Sequence, residues 1–260
     1  MKFLILFCSI LLSAYSYSKE FIPRAEDLIT PEKIKQTINY NGEDIYFTTA
    51  DTIGGKKIIR SFHTPIDPSN ESVNNFDNDL LDYQTLRPLF KKHPHGTIEY
   101  HYLKDNIVKL TFQSSIEGIQ KTVIKEIHAQ YHNYVMSGPA LPVLITALPL
   151  KVGLKVKFSA ISTIFPYAID YGVSVVDYML EVTGSEVITL DNINHDTFTV
   201  EIYPENSDVE GVYFKGWFTK SLPNIKLQNI YTSSKNKDKN NSELIHKSRK
   251  VIRLNQTDLW

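Results

Sequence analysis

Apolar and polar residues take turns along most of this chain. Leu154, Val156, Phe158 and Ala160 alternate with Lys155, Lys157 and Ser159. Val176, Tyr178, Leu180 and Val182 repeat the period of two, as do Phe198, Val200 and Ile202, and then Val212, Phe214, Gly216 and Phe218. That period sends alternate side chains to opposite faces of a strand, one dry and one wet. Turn signals separate the runs. Asn41-Gly42 divides Ile34–Tyr40 from Glu43–Ala50, and Asn-Gly is a strong hairpin signal because both residues tolerate positive φ. Gly54-Gly55 precedes Lys56–His63, and Asp105-Asn106 joins Gly96–Leu103 to Ile107–Phe112. Residues 64–79 carry Pro, Asn, Asp and Ser and read as a loop, as does the polar stretch Ser233–Ser242. Thr122–Met136 reads as strand, and Gly184-Ser185-Glu186 as a turn between two strand patterns.

The pattern predicts a mainly β protein. It describes a single antiparallel meander of roughly ten strands forming a closed or half-open barrel, since closure removes exposed edges. One segment departs from it. Gly138-Pro139-Ala140-Leu141-Pro142 opens the apolar run Val143–Leu148, which Pro149 ends. Proline near a start and a compact apolar stretch predict one short buried helix near 139–149, with a buried extended segment as the alternative. Such a helix plugs a barrel mouth or fills a concave face.

The first residues read differently. Met1-Lys2 is a short positive start, Phe3–Leu12 is apolar apart from Ser9, and small residues follow at Ser13, Ala14, Ser16 and Ser18. This is the layout of a secretory signal peptide spanning 1–18, with cleavage expected after Ser16 or Ser18. Residues 19–260 then form a single β-barrel-like domain, since no repeat or shift of composition divides them. Cys8, the only cysteine, lies inside the leader, so disulfides and thiol chemistry are not expected in the exported chain. The predicted location is the periplasm or the outer-membrane surface, otherwise the exterior, with membrane contact at most peripheral. Trp260 ends the chain as in many outer-membrane barrels, but Asp258 and Gln256 stand where that pattern wants apolar residues.

Composition adds little. The 260 residues are 42% hydrophobic and 22% charged, with a net charge of -1, which is globular and gives no field for nucleic acid. The histidines His93, His95, His101, His128 and His132 lack the Glu of a zinc-hydrolase helix, and on one strand His128 and His132 stand about 13 Å apart. No G-x-S-x-G, phosphate loop or dinucleotide fingerprint occurs. Asp77, Asp79 and Asp82, among Asn74, Asn75 and Asn78, offer oxygens that calcium favours but lack an EF-hand spacing. Asn70, Asn240 and Asn255 sit in glycosylation sequons, which matter only on a eukaryotic route. No cofactor, metal or catalytic residue is predicted.

Aromatic residues carry more content: fifteen Tyr, thirteen Phe and two Trp. On inward positions Tyr100, Tyr102, Phe158, Tyr178, Phe214 and Phe218 are the candidate ligand-binding residues, lining a barrel for an apolar or amphipathic molecule such as a lipid. Core filling is the competing role for the same rings. Trp217 shares a strand face with Tyr213, Lys215 and Thr219, opposite Phe214 and Phe218.

Four phrases occur in order: Asp82-Tyr83-Gln84-Thr85-Leu86-Arg87-Pro88, Ala147-Leu148-Pro149-Leu150-Lys151-Val152-Gly153, Glu181-Val182-Thr183-Gly184-Ser185-Glu186-Val187, and Gly216-Trp217-Phe218-Thr219-Lys220 with Pro223. Over roughly residues 35–254 they resemble a family of uncharacterised exported β-barrel proteins of Gram-negative bacteria, a domain of unknown function with a lipocalin-like or lipoprotein-carrier-like curved sheet. The resemblance implies that fold and an envelope location, and no catalytic residues. The expected function is non-enzymatic ligand binding in the concave face. The alternatives are an envelope protein-interaction or structural module with a filled core, and a hydrolase or metal-dependent enzyme using loop histidines.

Overall fold

The computed structural model describes residues 33–39, 43–65, 78–93, 96–104, 106–116, 119–134, 140–162, 173–190, 192–209, 211–221, 224, 226–233 and 244–254. The leader 1–18, the sequons and Trp260 lie outside them. Among the described residues the chain is mainly β with one short helix, as the alternation and the prolines predict. The first half runs β1 (Lys33–Asn39), β2 (Glu43–Ile53), β3 (Lys56–Pro65), β4 (Asn78–Asp82), β5 (Pro88–His93), β6 (Gly96–Tyr102), β7 (Ile107–Ile116) and β8 (Ile119–His128). After β9 (Asn133–Tyr134) and the helix α1 (Ala140–Ala147), the second half runs β10 (Lys155–Ser162), β11 (Ser174–Leu190), β12 (Ile193–Pro204), β13 (Val212–Thr219), β14 (Lys226–Ser233) and β15 (Leu244–Leu254).

Each strand pairs antiparallel with the next in sequence, except that β9 lies parallel to β10 and no ladder joins β8 to β9 among the described residues. The two antiparallel sheets, β8 back to β1 and β14 back to β9, meet at β15. Its residues 244–247 pair with β14 and its residues 248–254 with β1. The strand order therefore begins at β8 and ends at β9. Among the described residues no ladder joins those two strands, and the sheet is not closed.

Local chemistry sets the hairpins. Gly54 and Gly55 both take positive φ, the two-residue turn whose twist matches paired strands. Asn106 and Asn192 do the same at two later turns. Three expectations need correction. Thr64 and Pro65 end β3, and Asn78 and Asp79 already belong to β4, because ladders hold them; residues 66–77 lie outside the described residues. The strand over 122–136 breaks after His128, where Ala129 donates its N–H to Asn106 and the chain turns away. Gly184-Ser185 is no turn: β11 runs seventeen residues through a bulge between Val182 and Gly184. An extra residue there preserves pairing while exchanging which parity faces inward.

The helix is apolar except for Thr146, and six of its eight residues are buried, all but Pro142 and Thr146. So wide an apolar surface must be enclosed. Ile59 and Leu81 from the first sheet, and Phe158, Leu180, Ile202, Phe214 and Phe218 from the second, surround it in one cluster. A second cluster joins Ile98, Tyr100, Leu110 and Phe112 to Ile161. Both clusters draw on both sheets, so the inner faces turn toward each other.

Gly216 is part of that packing. A Cβ there would stand 2.6–2.8 Å from the rings of Phe214 and Phe218, themselves fully buried with centroids 6.5 Å apart. Gly216→Val is expected to destabilise by about 1–3 kcal/mol or more, because neither ring has space to retreat. A urea melt with a lowered midpoint and unchanged slope checks it; an unshifted midpoint refutes it.

Candidate functional site

Register places a polar row on the inner face of the first sheet. Thr48 of β2 pairs with Ser61, Ser61 with Asp79, and Asp79 with Lys91. The row continues into core residues, Lys91 opposite Ile98 and Ile98 opposite Phe112. Ser61 and Asp79 are fully buried and Lys91 nearly so, and Lys91 Nζ lies 3.8 Å from Asp79 Oδ1. Burial, with Asp79's negative charge added, raises the pKa of Tyr100's phenol. The field of Asp79 thus reaches one of the candidate rings. Buried ion pairs recover little of their desolvation cost, so such a pair among apolar neighbours is weak evidence of a stabilising role.

The six aromatic candidates fall into two places. Phe158, Tyr178, Phe214 and Phe218 pack with α1. Phe158 and Tyr178 stack with centroids 5.6 Å apart, and Tyr178's hydroxyl accepts from the N–H of Val212. Tyr100 belongs to the second cluster, and Tyr102 borders it while donating its hydroxyl to the Pro88 carbonyl. Of the six, Tyr100 feels the charge of Asp79, and Tyr102 stands two residues along the same strand. Trp217 faces the opposite side, where its indole N–H meets Glu186 Oε1 at 2.5 Å and Lys215 lies over its ring.

Just before β9, His132 Nδ1 lies 2.8 Å from Arg87 Nη2, whose guanidinium covers the Tyr102 ring. Arg87 leaves a turn that Asp82 organises. Asp82 Oδ1 accepts from the N–H groups of Gln84 and Thr85 and from the Thr85 hydroxyl, and Lys56 meets its other oxygen. Burial alone would push the Asp82 carboxyl up, but these bonds outweigh it and leave the pKa below its ordinary value. Leu86 in this turn holds positive φ while fully buried, a strained backbone held by the cap and the core. Burial, with Arg87's charge second, holds His132 down to a pKa of about 4. His132 is therefore a neutral clasp between the two sheets, and His128 is exposed on β8.

The calcium candidates are divided: Asp79 faces Lys91, Asp82 caps a turn, and Asn74, Asn75 and Asp77 lie outside the described residues. No group of three His, Asp or Glu side chains suited to a metal forms among the described residues. Beside β9, a cleft of about 350 Å³ is lined by Gln130, Val175, Val176, Asp177, Glu205 and others. At its rim Glu205 takes the Lys157 ammonium and the Tyr131 hydroxyl, which lowers its carboxyl pKa and raises that of Lys157. The sequence reading missed the polar row, because N-D-L-L-D has no alternation and Asp79 sits among turn-forming residues.

No helix among the described residues is long and apolar enough to cross a membrane. No family model, curated protein or solved structure matches the chain.

Proposed function

We propose that this is an exported, non-enzymatic binding protein of the cell envelope for an amphipathic molecule such as a lipid. In this reading the two sheets form a half-open barrel. The polar part of the ligand meets Ser61, Asp79 and Lys91, and its apolar part lies along Tyr100 and Tyr102. The buried Asp79–Lys91 pair on the inner face carries the reading, because a charged pair set in an apolar wall supplies orientation that packing cannot. The four rings around α1 form the base of the roll. Their complete packing supports the second reading, an envelope interaction module with a filled interior.

Organic extraction of the natively purified protein, followed by mass spectrometry, tests the proposal together with titration by an anionic naphthalene dye. Co-purified lipid and one saturable dye site are expected. The paired change Asp79→Leu with Lys91→Met is expected to weaken the dye at least about tenfold, some 1.4 kcal/mol. Absence of both lipid and saturable binding in the folded wild type overturns the reading in favour of the filled module.

A further inference from the structure

We infer that β8 is an association edge at which a second copy of this chain adds by antiparallel strand pairing. The inference is independent of what the interior holds. Of the two terminal strands in the order, β9 is two residues long, whereas β8 is ten and pairs only with β7 among the described residues. It contains neither Pro nor Gly, and no register shift interrupts its ladder. Long regular edges of this kind template further strands unless bulges, prolines or charges prevent it.

The chemistry of β8 selects its own copy and one register. Ile124, at mid-strand, is 58% exposed on the outward face. Antiparallel pairing about a two-fold axis at Ile124 sets Ile124 against Ile124, Val123 against Lys125 and Thr122 against Glu126. An exposed branched residue is then covered, and no like charges stand opposite. Moving the axis to Lys125 or Glu126 brings like charges face to face, and moving it to Val123 leaves Ile124 opposite Thr122. The charges that would blunt a general edge therefore fix this register, and the contact is isologous, so it closes at two copies.

Sedimentation equilibrium of the full chain across the micromolar range tests the inference. A dimer is expected for the wild type, and for Ile124→Lys a monomer with the same far-ultraviolet spectrum and a cooperative melt that, unlike the wild type's, does not depend on concentration. In a Cys8→Ser background, Ile124→Cys is expected to form an intermolecular disulfide when oxidised by dioxygen with copper–phenanthroline, because paired antiparallel residues have Cα atoms about 4.5–5.5 Å apart, within disulfide reach. A wild type that stays monomeric overturns the proposal. So does an Ile124→Lys variant that still dimerises, or an Ile124→Cys dimer whose two introduced thiols do not link.

Discussion

Lys91→Met is expected to cost about 3–5 kcal/mol of folding stability, one of the two largest effects foreseen for a single side chain. The substitution keeps volume and removes the charge that faces Asp79 across the β4–β5 ladder at 3.8 Å. Asp79 is fully buried, so its carboxylate must then stay charged without that ammonium or take up a proton, and either costs free energy. Asp79→Leu likewise removes the carboxylate that faces the buried Lys91 ammonium. Making both changes together leaves two apolar side chains on the inner face, and most of the loss should return. Urea unfolding of the four proteins forms a double-mutant cycle. A coupling near zero would show that the two groups do not act as a pair. The cycle also separates structure from binding, since the double variant is predicted to be folded and still deficient in ligand.

Acidification should weaken the fold through His132. Its pKa is about 4 in the folded chain and about 6.5 when unfolded, so between those values the unfolded state holds more protons. Stability is complete above pH 6.5, falls as pH drops toward 4, and levels off below. The difference of roughly 2.5 pH units corresponds to about 3 kcal/mol. The direction follows from geometry: a second positive charge would form beside Arg87, in a site closed to water. His132→Asn retains an acceptor for Arg87 and cannot titrate, so its stability should vary less over that window. Equal pH slopes for wild type and variant would exclude His132 as the source.

Much of the fold was legible because inward and outward positions differ in polarity. The runs at 154–160, 176–182 and 198–202 became strands with the expected faces, and proline punctuation located α1 to within a residue or two. What escaped depends on contacts remote in sequence. The bulge before Gly184 is set by pairing with Thr199 and leaves no local mark beyond a glycine. Asp79 looks like a turn residue until β3 and β5 enclose it. In the sequence His132 continues a strand with His128, yet its environment is made by Arg87, forty-five positions away. Tyr100 and Phe158 were chosen on the same grounds, and only packing separates the ring beside a charge from the ring inside the base.

The pairing of β1 with β15 has a consequence for biogenesis. Lys33 is registered with Leu254, so the hydrogen bonds that unite the two sheets need both β1 and β15, and all that lies between them, to be present. Neighbouring hairpins can form as the chain emerges, but the central junction must wait for the last strand, at the entropic cost of a very large loop. Synthesis cut short before residue 244 would leave two facing strand borders with nothing between them, a species prone to clump and easily degraded.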